Sequence, residues 1–295
     1  MNFRLQLPPG LTACAHAAMA TEFVFHLGGH EPAYLHQAAT EAFLRLDQLE
    51  SSLSFYRESS DVTRLNRAAA GAEVAVGPDT LACLALAARA ADLTGGAFNA
   101  FTGRAGLDAK NQETPPFLTD APGPGAGDAP GPVVSLHPDS GIVRKLRAGP
   151  WLDLGAIGKG YALDQIAVQL AEWGITTGCL IAGGSSLSGL GGPGWALELD
   201  QPMTPIGLPG NFCLGASGFL FQPGHIIDAR PEPAPAPAAR ALVLAPSAAL
   251  ADALSTAALL LSETEIAQLV LAQPGIACLR FDRSGQSHRH GAPFA

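Results

Sequence analysis

The chain has 295 residues, 47% hydrophobic and 15% charged, with a formal net charge of -9 at pH 7. That length supports a sizeable core in one domain or two, and the apolar content excludes wholesale disorder. The acidic balance excludes a nucleic-acid backbone as partner, no basic stretch suits an anionic membrane surface, and no apolar run reaches the roughly 18 residues of a spanning helix.

The N-terminal residues Met1 to Gly10 carry no apolar leader core. As written, the chain reads as cytoplasmic, with an exported form open if a leader was removed. Cys14, Cys83, Cys179, Cys213 and Cys278 are scattered and form no CxxC, so they read as small buried hydrophobes rather than disulfides or zinc ligands.

Residues 22 to 27 read as a strand. From Ala33 to Leu49, Leu35, Ala38, Ala39, Ala42, Phe43, Leu46 and Leu49 recur at helical spacing and predict an amphipathic helix. A second helix starts at Pro78-Asp79 and ends before Gly95-Gly96. Residues 109 to 132, rich in Pro, Gly, Ala and Asp, read as a flexible surface insertion. Pro138 to Gly141 turns a hairpin between 133–137 and 142–146.

A strand at Trp151 to Leu154 enters the turn Gly155-Ala-Ile-Gly-Lys-Gly160, and a helix follows to Gly174 with Ala162, Ile166, Leu170 and Trp173 facing the core. Thr177 to Ala182 is an apolar strand leading into Gly183-Gly184. Residues 183 to 192 read as a flexible Gly-rich loop. Trp195 to Asp200 alternates as a half-buried strand, and residues 231 to 239 read as an extended Pro/Ala loop. Then come a strand at 241–245, a helix at 249–261, a helix opened by the capping box Ser262 and Glu265, and a strand at 276–281. His288 and His290 read as a solvated tail. Hairpins mixed with separate helices predict an α+β fold.

Three groups carry chemistry. Glycines in 155–160 let a backbone approach an anion, and Lys159 adds charge beside a helix N-terminus. The pattern is not a P-loop, and an ordinary strand-to-helix turn stays open as a reading. Asp252 and Thr256, four apart, share a helix face. They suit Mg2+ or, as an alternative, Ca2+. A purely local role also fits, with Thr256 bonded back to the Asp252 carbonyl and Asp252 at the helix start. His225, in Gly224-His-Ile-Ile-Asp228, is either a satisfied structural histidine or an acid/base group.

These pieces, in this order, resemble the ApbE family of FAD:protein FMN transferases. Met19-Ala-Thr21 is similar to the family's opening Met-Gly-Thr. Leu53-Ser-Phe-Tyr56 with Ser60-Asp-Val-Thr-Arg-Leu-Asn66 is similar to its next element, and Gly95-Gly-Ala-Phe98 matches a third. Asp153 to Asp164 is close to its most specific stretch. Gly183-Gly184, His225 to Asp228 and Asp252 to Thr256 follow in order.

The resemblance implies a single ApbE-like domain over 1–295: an α+β, T-fold-like arrangement of mixed sheets with packed helices and an FAD cleft between lobes. The insertion at 109–132 and the Pro/Ala loop at 229–239 would decorate it. It implies FAD as substrate, one Mg2+ held by the Ala156 carbonyl, Asp252 and Thr256, and transfer of FMN to a Thr or Ser hydroxyl of an acceptor flavoprotein with release of AMP. Met19 and Tyr56 would lie beside the flavin. Gly96, Ala97, Phe98, Asn99, Gly183 and Gly184 would line the cofactor, and Lys159 and Asp164 would contact its phosphate or nucleoside part. His225, Asp228 and Lys159 would serve the chemistry.

The chain departs from the family's pattern in Asn99 for Asp, Ser185 for Asp, Ala216 in Thr-Ser-Gly, and Ala229-Arg-Pro-Glu for Pro-x-Thr-Gly. Two other readings therefore stand beside the transferase. One is a non-catalytic FAD-binding protein of the same fold; the other is an FAD pyrophosphatase giving FMN and AMP.

Overall fold

Alternation of small, polar and apolar side chains explains how helices and sheets share this chain. The computed structural model describes residues 3–123, 131–192, 194–199, 205–218, 226–230 and 238–294. In chain order the elements are β1 (Phe3–Gln6), β2 (Thr12–Ala18), β3 (Thr21–Leu27), α1 (Pro32–Leu53), α2 (Asp61–Arg67), β4 (Glu73–Ala75), α3 (Pro78–Leu93), α4 (Gly103–Ala109), β5 (Val134–His137), β6 (Ile142–Lys145), α5 (Gly158–Glu172), β7 (Gly178–Ala182), β8 (Ser186–Gly189), β9 (Trp195–Leu199), β10 (Ile206–Leu208), β11 (Cys213–Gly218), β12 (Arg240–Leu244), α6 (Ala248–Ala257), α7 (Glu263–Ala272), β13 (Ala277–Phe281) and β14 (Ser287–His290). The fold is mixed α+β, as the sequence predicts. Among the described residues no helix is long and apolar enough to cross a membrane.

The chain forms two compact units. The first comprises 1–47, 159–218 and 234–295; the second comprises 48–158 and 219–233. In the first, an eight-stranded sheet runs β14-β13-β12-β11-β8-β7-β3-β2, and a three-stranded sheet runs β1-β9-β10. Every paired neighbour is antiparallel. Period-two alternation then decides which face each residue covers. Leu187, Leu214, Leu242, Leu244, Leu279 and Phe281 share one core with Trp195, Leu197 and Leu208 of the small sheet. Each buried leucine there contributes roughly 1.5–3 kcal/mol.

The residues between them, Ser186, Gly215 and Ser217, point the other way, toward α6. They are small because α6 lies directly on them: a Cβ on Gly215 would sit 2.0 Å from the Ala251 carbonyl oxygen. The capping box of α7 forms as the sequence predicts, Ser262 and Glu265 each bonding the other's backbone N–H.

The second unit holds the sheet β4-β6-β5 with α2, α3 and α4. Ser60 caps α2 by accepting the Thr63 N–H at 3.0 Å. Asp61, 8% exposed, accepts from Gly77 N–H at 2.7 Å and Thr80 Oγ1 at 2.8 Å and pairs with Arg64. One carboxylate thus ties α2 to the start of α3.

Three sequence expectations are corrected. Residues 151 to 154 are not a ladder strand. Instead, the buried Asn66 amide donates to the Leu152 carbonyl at 2.9 Å and accepts the Leu152 N–H at 2.7 Å. The Asp153 N–H goes to Ala100 O, and Trp151 O accepts from Gly103 N–H. A side chain takes the place of a neighbouring strand, which hydrophobic pattern does not reveal. Residues 186 to 189 are not a flexible loop but β8, buried at all four positions and paired to β7 and β11. His288 and His290 are not a free tail: β14 pairs with β13, and His290 Nε2 lies 2.8 Å from Glu263 Oε2 on α7.

Within the stretch read as an insertion, Pro116–Leu118 makes a short 3-10 turn and Leu118 is fully buried. Its residues 124–130, and 231–237 of the Pro/Ala loop, lie outside the described residues.

The second unit buries a lysine. Lys145 is 1% exposed and donates to Pro150 O at 3.2 Å, 5.9 Å above the Phe101 ring. Burial brings its ammonium down to about 8, with Arg147 acting in the same direction. Its unfolded value is about 10.4, so the unfolded chain binds the proton more tightly and the folded state carries the full cost below about pH 8. That cost fades as pH rises to about 10.4. Lys145→Met should therefore gain on the order of 2 kcal/mol over wild type at pH 7, and the gap should close by about pH 10.5. Paired urea unfolding at both pH values checks this, and a pH-independent gap would refute it.

Candidate functional site

The first unit brings the Gly-rich turn's lysine to Asp252. Asp252 lies within α6 and is 3% exposed. Its Oδ1 accepts from Ser186 Oγ at 3.0 Å; its Oδ2 accepts from the Gly160 N–H at 3.2 Å and from Lys159 Nζ at 3.3 Å. The carboxylate therefore sits against the first turn of α5, where unpaired N–H groups favour negative charge.

The reverse contact is also made. Asp164 of α5 accepts the Ala248 and Ala249 N–H groups of α6, at 2.7 and 2.9 Å. Burial raises the Asp164 carboxyl above the usual range, while the two N–H bonds pull it back. Each helix thus supplies the carboxylate that caps the other. The crossing needs glycine, since a Cβ on Gly160 would lie 2.1 Å from the Ala248 carbonyl oxygen. Asp252 does not cap its own helix, as one local reading had it; Ser247 does that.

Thr256 lies one turn beyond Asp252. Its Oγ1 is 3.2 Å from Ser217 Oγ, which is 2.8 Å from Ser255 Oγ. The bond back to Asp252 O is long, at 3.5 Å, so the local reading of Thr256 is the weaker contact. All these donors are hard oxygens, without His or Cys, and they fit Mg2+ or Ca2+ rather than zinc. Among the described residues no group of three or more His, Cys, Asp or Glu could hold a metal ion. A cation here would rest on one carboxylate, neutral oxygens and substrate phosphate, a common arrangement for Mg2+.

Also in the first unit, Met19 and Ala20 are the two residues turning β2 into β3, with φ of 50° and 57°. Positive φ at both is what a two-residue hairpin requires and what non-glycine residues resist. Such strain concentrates at functional positions. The adjacent Thr21 abuts Gly183, where a Cβ would meet Thr21 Oγ1 at 2.4 Å, and the Gly183 N–H bonds Glu22 O at 2.8 Å. Two motifs far apart in sequence are therefore side by side. Gly184 follows Gly183 in the turn before β8.

In the second unit, Tyr56 is 56% exposed and donates to Gln112 Oε1 at 3.2 Å. Partial burial, with Asp153, raises its phenol. Ala97 and Phe98 are buried, and Asn99 Oδ1 accepts the Phe101 N–H at 2.8 Å. Ala156 lies half-buried in the turn between Leu154 and α5.

Asp228 is held by Arg230 in a fork: Nε to Oδ1 at 2.9 Å, Nη2 to Oδ2 at 2.7 Å. Burial works against the Asp228 charge, but the Arg230 hydrogen bonds and charge outweigh it and hold the carboxyl below the usual range. The Arg230 stem passes Gly96, whose Cβ would lie 4.0 Å from its Cγ. His225 lies outside the described residues.

A model of the ApbE family matches residues 19–280. The chain belongs to the ApbE family. A Treponema pallidum (strain Nichols) protein named FAD:protein FMN transferase is 31% identical over 166 residues, 52% of this chain and 44% of that relative. The match thus spans less than half of the relative's length. Among solved structures, the flavin transferase ApbE from Vibrio cholerae superposes with a TM-score of 0.75 at 21% identity, covering 98% of this chain and 100% of that one. The ApbE protein of Thermotoga maritima gives 0.75 at 22%, covering 95% and 97%. The flavinyl transferase ApbE of Pseudomonas stutzeri gives 0.76 at 22%, covering 97% of each. At these identities the structures establish a shared ApbE fold.

Beyond the site residues that the ApbE resemblance implies, the structure adds Ser186 and Ser217 around Asp252 and Thr256, Asn66 bonded to Leu152 ahead of the Gly-rich turn, and Arg230 on Asp228. Asn66 ends a motif legible in the sequence, and Arg230 stands in a departure from the family pattern. Ser186 carries no sequence signal beyond its place after Gly183-Gly184.

The helix crossing is directly testable. Gly160→Ala should cost roughly 3 kcal/mol or more, because backbone must shift. Asp164→Ala should cost roughly 1–2 kcal/mol through the lost cap. Urea midpoints of the purified variants measure both. A wild-type midpoint for Gly160→Ala would show that the two helices do not meet there.

Proposed function

We propose that the chain transfers FMN from FAD to a Thr or Ser hydroxyl of an acceptor flavoprotein, releasing AMP, and that it uses Mg2+. The observation that carries the reading is the buried Asp252 carboxylate at the head of α5, with Lys159 on one side and the Thr256 hydroxyl one turn away. Family membership and the name of the Treponema relative support flavin transfer as the activity.

Asp252 and Thr256 would hold the cation, joined by the Ala156 carbonyl that the sequence resemblance implies. Once bound, Mg2+ would supply neutralising charge to the diphosphate oxygens and the departing AMP. Lys159 would hold a phosphate oxygen by charge. In the reaction the acceptor oxygen bonds to the FMN phosphorus, and the bond from that phosphorus to the bridging oxygen breaks. AMP leaves with that oxygen, and the hydroxyl proton passes to a base. His225 is the proposed base. Asp228, kept ionised by Arg230, would orient it or stabilise its charge. Met19 and Tyr56 would flank the flavin, with Gly96, Ala97, Phe98, Asn99, Gly183 and Gly184 lining it.

A second reading has one specific support. Asn99 and Ser185 stand where the family usually carries carboxylates, and Asn99 spends its side-chain oxygen on a local backbone bond. Under that reading the chain binds FAD without turning it over.

The test is incubation with FAD, Mg2+ and a flavin-acceptor domain bearing a Thr site, followed by acceptor mass and AMP release, with and without chelator. A chelator-sensitive FMN adduct with equimolar AMP is expected. Asp252→Asn should lower its rate about a hundredfold or more, while circular dichroism stays that of the wild type. Free FMN and AMP without adduct would indicate hydrolysis instead. Intact, retained FAD would sink the transferase reading and favour binding alone.

A further inference from the structure

Asp252 is asked to serve two cations. Its Oδ2 already faces the Lys159 ammonium at 3.3 Å and the Gly160 N–H at 3.2 Å, and Oδ1 faces the Ser186 hydroxyl at 3.0 Å. The Asp252 side chain is 4% exposed and that of Lys159 20%, so water screens the pair poorly. A divalent ion on this carboxylate meets a positive charge a few ångströms away, at a distance where repulsion in a partly buried site is substantial. Asp252 cannot turn aside, because its place is fixed by a backbone N–H on α5 and by the packing of Gly160 on Ala248. Lys159 is the movable member: a flexible stem carrying a point charge.

We infer that Lys159 competes with the divalent cation for Asp252, and that the FAD diphosphate relieves the competition by drawing Lys159 onto itself. This rests on the Mg2+ reading of the preceding subsection and adds an order to it. Metal binds weakly to the protein alone and tightly once a diphosphate is present. By linkage, Mg2+ tightens FAD binding by the same factor. Lys159 is then a specificity-determining residue as well as a phosphate contact. It disfavours loading of the site by a divalent ion that arrives without the nucleotide.

The experiment is calorimetric titration of Mg2+ into the acceptor-free full chain, with and without saturating FAD, for wild type, Lys159→Met and Lys159→Arg. For wild type, FAD should tighten Mg2+ binding about tenfold or more. In Lys159→Met, Mg2+ should bind about fivefold tighter than wild type without FAD, and the gain from FAD should be about fivefold smaller than in wild type. Lys159→Arg, which keeps the charge, should behave as wild type and shows that any change comes from charge rather than misfolding. Mg2+ binding to Lys159→Met that is unchanged or weaker without FAD overturns the competition. Should Mg2+ bind wild type, and bind Asp252→Asn in the same titration more weakly, while Lys159→Met changes nothing, the metal reading stands and this inference alone falls. Should no protein bind Mg2+ even with FAD, both fall.

Discussion

The reciprocal capping of α5 and α6 is the constraint on which the placement of Lys159 and Asp252 depends. Asp164 reaches from α5 to the first N–H groups of α6, and Asp252 reaches from α6 to the first turn of α5. The two helices approach so closely that Gly160 has no room for a methyl group, and β11 meets α6 with equal closeness at Gly215. A buried carboxylate is costly unless its oxygens find donors. Here the donors include helix N-terminal N–H groups that themselves need acceptors, joined at Asp252 by Ser186 and Lys159, so each requirement meets the other. The result fixes Asp252 and the backbone from which the Lys159 side chain extends, with Thr256 one turn beyond on the same helix.

That arrangement also explains the small polar residues on one face of the eight-stranded sheet. Ser186 and Ser217 would be poor core residues by hydrophobicity. Under α6 they satisfy Asp252 and join the hydroxyls of Ser255 and Thr256. The opposite face of the same strands carries leucines against the smaller sheet. One sheet thus packs a leucine core on one side and presents hydroxyls to α6 on the other, divided by the two-residue period of the strand.

Much of this was legible in residue order. The helix from Pro32 announced itself through Leu35, Ala38, Ala39, Ala42 and Leu46, and the α7 capping box through Ser262 and Glu265, because those signals are local. The pairing of Asp252 and Thr256 on one helix face was legible for the same reason. What escaped was non-local. Residues 186 to 189 read as a loop because serines and glycine have low strand propensity, yet neighbouring strands and α6 impose the strand. Trp151 to Leu154 read as a strand because it is apolar, yet its backbone is satisfied by Asn66 rather than by a ladder. His288 and His290 read as solvated because Glu263, their partner, lies a full helix away in sequence. The double role of Asp164 and Asp252 could not be seen from either helix alone.

The same cross-capping sets an order of assembly during synthesis. Helix α6 carries a cap of its own in Ser247, three residues from the Leu250 N–H that it receives. Helix α5 opens on Gly-Lys-Gly, a costly start in backbone entropy, and its Gly160 N–H is met only by a residue 92 positions later in the chain. A contact of such long range bears its loop-closure cost before it returns any stability. The head of α5, and with it the placement of Lys159 beside Asp252, therefore stays incomplete in a nascent chain until α6 has been made.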